Sequence, residues 1–279
     1  MMPGLRVQLC SAPKQLRTGE PLIKKQTNLI QRRRKHMSIM VSVFVPDGIV
    51  MAADSRQTVG ITAVKPVNGA QGTETRILNR MDRPGQPGFP AGTIISQSDN
   101  AQKIMLLSKV KVGISACGIG ILDGKNVSDY IRTFEINELT SADDVTSVAE
   151  KLHKYAFKYF PQVNFFVCGY QNDEPFVYIV NKEIKRSNIE NGRMRYASIW
   201  SGEQAAITKL LNGNPPMMIN HVLMPLKDAI DFADFLVDAT IKSQRFEMKP
   251  ATCGGDIDIL VLTKDDSFWF RHKVYKPGR

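Results

Sequence analysis

The first regular pattern in the chain begins at Ile39. Ile39 to Val45 (IMVSVFV) is dense in β-branched residues, Pro46-Asp47-Gly48 is turn chemistry, and Ile49 to Ala53 resumes the apolar run, so an opening β-hairpin is predicted. Val64 to Thr93 breaks the pattern: four prolines and five glycines fall within it, and it reads as an exposed insertion or flap without a regular element. Strand patterns return at Thr93 to Gln97, Lys103 to Leu107 and Val110 to Ala116. Two amphipathic helices are expected next. In the clearer one, Val145, Val148, Ala149, Leu152, Ala156, Tyr159 and Phe160 share a face, and Ser141 with Asp144 three residues on reads as its cap.

Further strands are predicted at Val163 to Tyr170, Pro175 to Val180 and Arg195 to Trp200, with Asn191-Gly192 as a hairpin-type turn. A second helical pair follows, Glu203 to Leu211 ending at Asn212-Gly213, and Leu226 to Phe246. Asp256 to Thr263 and Ser267 to His272 close the chain as strands. Hairpins alternating with helix pairs suit an α+β protein in which two antiparallel sheets pack face to face with helices outside, a four-layer αββα sandwich. The strands alternate little between apolar and polar positions, as befits sheets covered on both faces.

Charge alters the picture less than its total suggests. The 279 residues carry 37 Lys and Arg against 27 Asp and Glu, a net +10. Residues 1–36 hold nine of the basic residues and one acidic one, which leaves 28 against 26 for the body. A basic groove tracking phosphates is therefore not indicated, and a nucleic-acid-binding module is the least favoured class. Residues 1–37 read as a basic leader distinct from a single domain over 38–279. Its Arg32-Arg33-Arg34-Lys35 run stands directly before Met37-Ser38 and admits a misplaced start with Met37 as the true one, a propeptide, an organellar transit peptide or a solvated tail. No apolar run reaches the roughly 18 to 20 residues of a membrane span. Cys10, Cys117, Cys168 and Cys253 lack paired spacing and read as free thiols of a cytoplasmic protein, with no cofactor or metal implied. Cys117, Cys168 and Cys253, with Phe165, Phe166, Tyr178, Phe232 and Phe235, are expected in the core.

The segment Ser38 to Arg56, ending in Gly48-Ile49-Val50-Met51-Ala52-Ala53-Asp54-Ser55-Arg56, resembles the start of mature proteasome β-type subunits and their bacterial relatives, which are N-terminal nucleophile (Ntn) hydrolases. Lys103 before Ile104-Met105, Gly118 after a strand, Ser201-Gly202 after a strand, and Gly254-Gly255-Asp256-Ile257-Asp258 extend the match. It spans Ser38 to the last strands, with an insertion at about 61–93. The resemblance implies that Ser38 is the nucleophile and that Asp54, Lys103 and Ser201 serve it. Gly118 would be the oxyanion donor, and Thr58, Ala101, Met105, Ala116 and Gly120 would contact substrate. It further implies a homo-oligomeric ring, peptide or unfolded-protein substrates, and room for an ATPase partner.

The chemistry can be argued from the residues as well. A serine hydroxyl needs a base, and none of the four histidines stands in a nucleophile-elbow context. A free α-amine on Ser38, with an ordinary pKa of about 7.7 to 8.0, can take that proton, and a neighbouring Lys103 would lower it further. Asp54 would hold Lys103 charged and in place. The family positions a carboxylate and a hydroxyl near the Gly-Gly pair, whereas Pro250 and Cys253 stand there in this chain. Taken singly, Asp54 with Arg56 also reads as a turn ion pair, Lys103 as a solvated strand end, and Ser201-Gly202 as a helix cap. A catalytically inactive structural subunit and a non-proteolytic Ntn amidohydrolase acting on a small amide remain alternatives to a peptidase.

Overall fold

The computed structural model describes residues 38–64, 74–78, 93–157, 159–248 and 250–273. The leader, residues 1–37, lies outside them. The opening hairpin forms as predicted: β1 (Ile39–Val45) turns through Pro46-Asp47 into β2 (Gly48–Ala53), with Val45 opposite Gly48. Next come β3 (Gln57–Val64), β4 (Glu74–Leu78) and β5 (Thr93–Ser98), a three-stranded antiparallel sheet in the order β4-β3-β5. This corrects the expectation for 64–93. Its prolines all lie outside Glu74–Leu78, so that stretch is free to pair with Gly60–Val64. The remainder of the insertion, 65–73 and 79–92, falls outside the described residues.

Chain order continues through β6 (Ile104–Leu107), β7 (Val112–Cys117) and the short ribbon β8 (Ile121–Leu122) with β9 (Lys125–Asn126). Two helices follow, α1 (Val127–Glu138) and α2 (Val145–Ala156), then β10 (Asn164–Gln171), β11 (Glu174–Val180) and β12 (Ile184–Arg186). The hairpin β13 (Ile189–Glu190) and β14 (Arg193–Met194) turns on Asn191 and Gly192, both at positive φ, as the Asn-Gly pair predicts. Last come β15 (Ala197–Gly202), α3 (Ala205–Leu211), α4 (Leu226–Gln244), β16 (Asp258–Leu262) and β17 (Ser267–Arg271).

Two five-stranded antiparallel sheets carry the core, ordered β15-β1-β2-β16-β17 and β12-β11-β10-β7-β6. Alternate residues of β1 explain why its run is unbroken. Met40 and Phe44 join Met51, Leu260, Phe166 and Cys168 in an apolar cluster drawn from both sheets, while Ile39, Val41 and Val43 pack with Ile207, Ala233 and Val237 of α3 and α4. The other sheet is covered in the same way, with Ile114, Phe165 and Val167 against Ile131, Phe134, Val148 and Leu152 of α1 and α2. Truncating a side chain such as the fully buried Phe166 to Ala would cost about 3–5 kcal/mol.

Three local expectations shift. Asp144 caps α2, accepting from the Ser147 N–H at 2.8 Å, so the helix starts after Asp144 and Ser141 precedes it by three residues. Tyr159, beyond the last turn, is two-thirds exposed, and Phe235 on α4 is half exposed. Cys117, Cys168 and Cys253 are buried and form no disulfide, and burial pushes the Cys168 thiol up to about 12.

Candidate functional site

Ser38 sits at the head of β1, 8 % exposed, and its backbone is held by the end of β15. Its carbonyl accepts from the Glu203 N–H at 2.7 Å. The chains approach so closely that a Cβ on Gly202 would lie 1.9 Å from the Ser38 carbonyl oxygen, and Gly202 has φ +113°. Only glycine fits there. Ser201 and Gly202 are thus strand residues that fix the Ser38 backbone, and the residue preceding α3 is Gln204, so the helix-cap reading falls away.

Asp54, at the end of β2, is 1 % exposed, and Lys103, just before β6, is 7 % exposed. The Lys103 Nζ donates to Asp54 Oδ1 at 2.6 Å. The same carboxylate accepts from the Ile39 N–H at 3.0 Å, the Gly254 N–H at 3.0 Å and the Arg56 N–H at 3.2 Å. Burying an ion pair removes both charges from water, and a carboxylate with four donors is what offsets that cost. Asp54 is therefore the node that ties β1, the Gly254 loop and Lys103 together. The turn ion pair with Arg56 is not made: the Arg56 guanidinium turns instead to Asp99, Nε to Oδ1 at 2.6 Å and Nη2 to Oδ2 at 2.7 Å. That contact holds the Asp99 carboxyl below its ordinary range and raises Arg56.

Ser38 and Lys103 line a cleft of about 170 Å³ together with Gly118 and, of the residues expected to contact substrate, Thr58, Ala101, Ala116 and Gly120. Met105 is placed elsewhere. It is 7 % exposed, packs in the cluster beneath α1, and lines an adjoining hollow toward Trp269 and His272. Gly118 has φ +122°, and a Cβ there would lie 2.6 Å from the Gln162 carbonyl oxygen, so glycine is required at this wall of the cleft. Ser201 is half-buried, and its hydroxyl accepts from the Cys117 thiol at 3.3 Å. Pro250 is exposed. Cys253 is buried, with burial and then the Asp54 charge raising its thiol pKa.

No family model matches the chain, and no curated protein matches it. Among solved structures it is similar to the Gly-1 mutant of Anbu, a bacterial proteasome-like protein from Hyphomicrobium sp. strain MC1. The identity is 14 %, the TM-score 0.50, and the match covers 85 % of this chain and 86 % of that one. The likeness is one of fold. Among the described residues no helix is long and apolar enough to cross a membrane, and no group of three or more His, Cys, Asp or Glu could hold a metal ion.

Within this distantly proteasome-like fold, three residues around the cleft escaped sequence reasoning. Gln244, 2 % exposed at the end of α4, accepts through one oxygen from the Thr252 N–H at 2.7 Å and the Cys253 N–H at 3.0 Å. The next N–H, that of Gly254, goes to Asp54, so Gln244 braces the loop that serves the carboxylate. Its signal was visible: Leu236, Thr240 and Gln244 follow at spacing four, a polar amide on an otherwise buried helix face. Asp99 and Gln57 gave no such signal, because their partners Arg56 and Gly120 are distant in sequence.

Proposed function

We propose that the chain is a proteasome-like peptidase of the N-terminal nucleophile class, a four-layer αββα hydrolase that cleaves peptide amide bonds through Ser38. The observation that carries this reading is the convergence of Ser38, the buried Asp54–Lys103 pair and Gly118 on one cleft. Separation of Met37 from Ser38 would free the α-amine that acts as base. The Ser38 hydroxyl proton passes to that amine as Oγ bonds to the scissile carbonyl carbon, and the resulting oxyanion is met by the Gly118 N–H. The C–N bond then breaks, the leaving amine takes the proton, and water releases the acyl group from Ser38 by the reverse path. Lys103 keeps the amine uncharged by repulsion, and Asp54 keeps Lys103 in place. Ser201, opposite Met40 on β15, is the residue that would orient the amine. We further propose, as the sequence resemblance implies, a cytoplasmic homo-oligomer that encloses its sites and is fed unfolded chains by an ATPase.

One observation favours a second reading, a structural subunit without catalysis. Where the family has an amine-holding carboxylate and hydroxyl, this chain has an exposed Pro250 and a buried thiol, Cys253, that receives the Gln244 amide at 3.7 Å. Intact mass and N-terminal sequencing of native protein, with peptide hydrolysis by wild type and Ser38→Ala, separate the two. A Ser38 terminus and hydrolysis lost in the variant are expected for the peptidase. An extended terminus in the assembled protein, or hydrolysis unchanged by Ser38→Ala, refutes it.

A further inference from the structure

One wall of the cleft is built around Gln57, the first residue of β3. Its carboxamide Nε2 donates to the Gly120 carbonyl at 3.1 Å and lies 3.5 Å from Asn126 Oδ1. Gly120 permits this, since a Cβ there would fall 2.8 Å from Nε2 and 2.9 Å from Cγ of Gln57. With both amide hydrogens so directed, Oε1 is the remaining capacity of the side chain, and among the described residues no donor reaches it. The two charged residues lining the cleft are already matched, Arg56 by Asp99 and Lys103 by Asp54. Among the described residues its other polar lining, including Ser98, Asn100, Gln102 and Ser128, is neutral, and no aromatic ring contributes.

A charged guest would enter such a cleft without an unmatched counter-charge and lose its hydration. An apolar guest would leave the Gln57 oxygen dry and unpartnered. We propose that the cleft selects an uncharged, hydrogen-bond-donating side chain, asparagine or glutamine, on the acyl side of the scissile bond, and that Gln57 is the residue that reads it. The proposal rests on the peptidase reading above and adds the substrate class to it.

The test uses the full native protein and peptides identical except for that one residue, set to Asn, Gln, Leu, Arg, Asp or Phe, alongside labelling of Ser38 by a small fluorophosphonate. Asn and Gln are expected to exceed Leu by about tenfold in kcat/KM, the weight of one net hydrogen bond. In Gln57→Leu the Asn-to-Leu ratio should fall to near one. Gly120→Ala should do the same from the opposite side, by displacing the Gln57 carboxamide without removing it. Arg, Asp or Phe ranking first, labelling of Ser38 without cleavage of Asn or Gln peptides, or a ratio that survives both substitutions overturns the substrate class alone. Absence of both labelling and cleavage overturns the peptidase reading and this proposal with it.

Discussion

Replacing Asp54 by asparagine keeps the shape of the side chain and removes its charge. Asp54 has 1 % exposure and Lys103 7 %, so the substitution strands an ammonium in the interior. Breaking one half of a buried pair in this way costs about 3–5 kcal/mol. The new amide also turns an NH2 toward donors: the Lys103 Nζ and the N–H of Ile39 share Oδ1, and those of Gly254 and Arg56 share Oδ2, so one side is left facing donor to donor. With a total stability of about 5–15 kcal/mol for a domain, the loss removes a large part of it. At a urea m-value of about 3 kcal/mol per M the midpoint should fall by about 1–1.7 M. Lys103→Met should be costly too, because it leaves the carboxylate charged and dry. The double variant Asp54→Asn/Lys103→Met buries no charge and should be more stable than the sum of the single losses predicts, by at least about 2 kcal/mol. Equilibrium urea unfolding of the four proteins measures this. A midpoint moved by less than the equivalent of about 1 kcal/mol in Asp54→Asn, or strict additivity in the double variant, would refute the role of Asp54 as the node of the site.

Gly202→Ala should destabilise by about 2–6 kcal/mol, adding a backbone clash at the Ser38 carbonyl to a φ that side chains avoid, whereas Gly192→Ala, with φ +74° and nothing near its Cβ, should cost about 1 kcal/mol; thermal melts of the pair compare them directly. Gln244→Leu removes the acceptor shared by the part-buried Thr252 N–H and the buried Cys253 N–H and should cost about 1–3 kcal/mol, with faster hydrogen exchange at residues 252–254; exchange unchanged there would contradict the bracing role. Burial lowers the His221 pKa from 6.5, so the unfolded chain binds more protons just below that pH and stability should decline as pH falls from 6.5 through the folded value. His221→Phe should flatten that slope in urea midpoints measured between pH 5 and about 7.

The strands most readable in advance were those covered on both faces. In β1, β2, β10 and β16 the apolar runs are nearly continuous, and in β1 four of the seven residues are β-branched. β3 and β4 were lost because the prolines and glycines around them dominate the local composition, while their pairing depends on the Gly60 to Leu78 register, which no short window contains. At the site, the resemblance groups Ser38, Asp54 and Lys103, and the structure places Ser38 and Lys103 on one cleft with Asp54 bonded to Lys103. Met105 falls outside the cleft lining and packs under α1, although Lys103, two residues before it, reaches the cleft. The Arg56–Asp99 and Gln57–Gly120 contacts link residues 43 and 63 apart, and the side chains themselves carry no mark of their partners.

The hairpin that begins with Ser38 is made early by a ribosome, yet its sheet neighbours are β15 and β16, reached some 160 and 200 residues later. The Gly254 N–H that grips Asp54 is separated from it by 200 positions. Contacts this remote make for slow folding, since a long loop must close before any of them is gained. A nascent chain therefore holds Ser38 and Asp54 without the β15 wall and the Gly254 clasp that fix them. The geometry of the cleft is completed only with the final strands, so a chain that stops short of them would lack the site as well as stability.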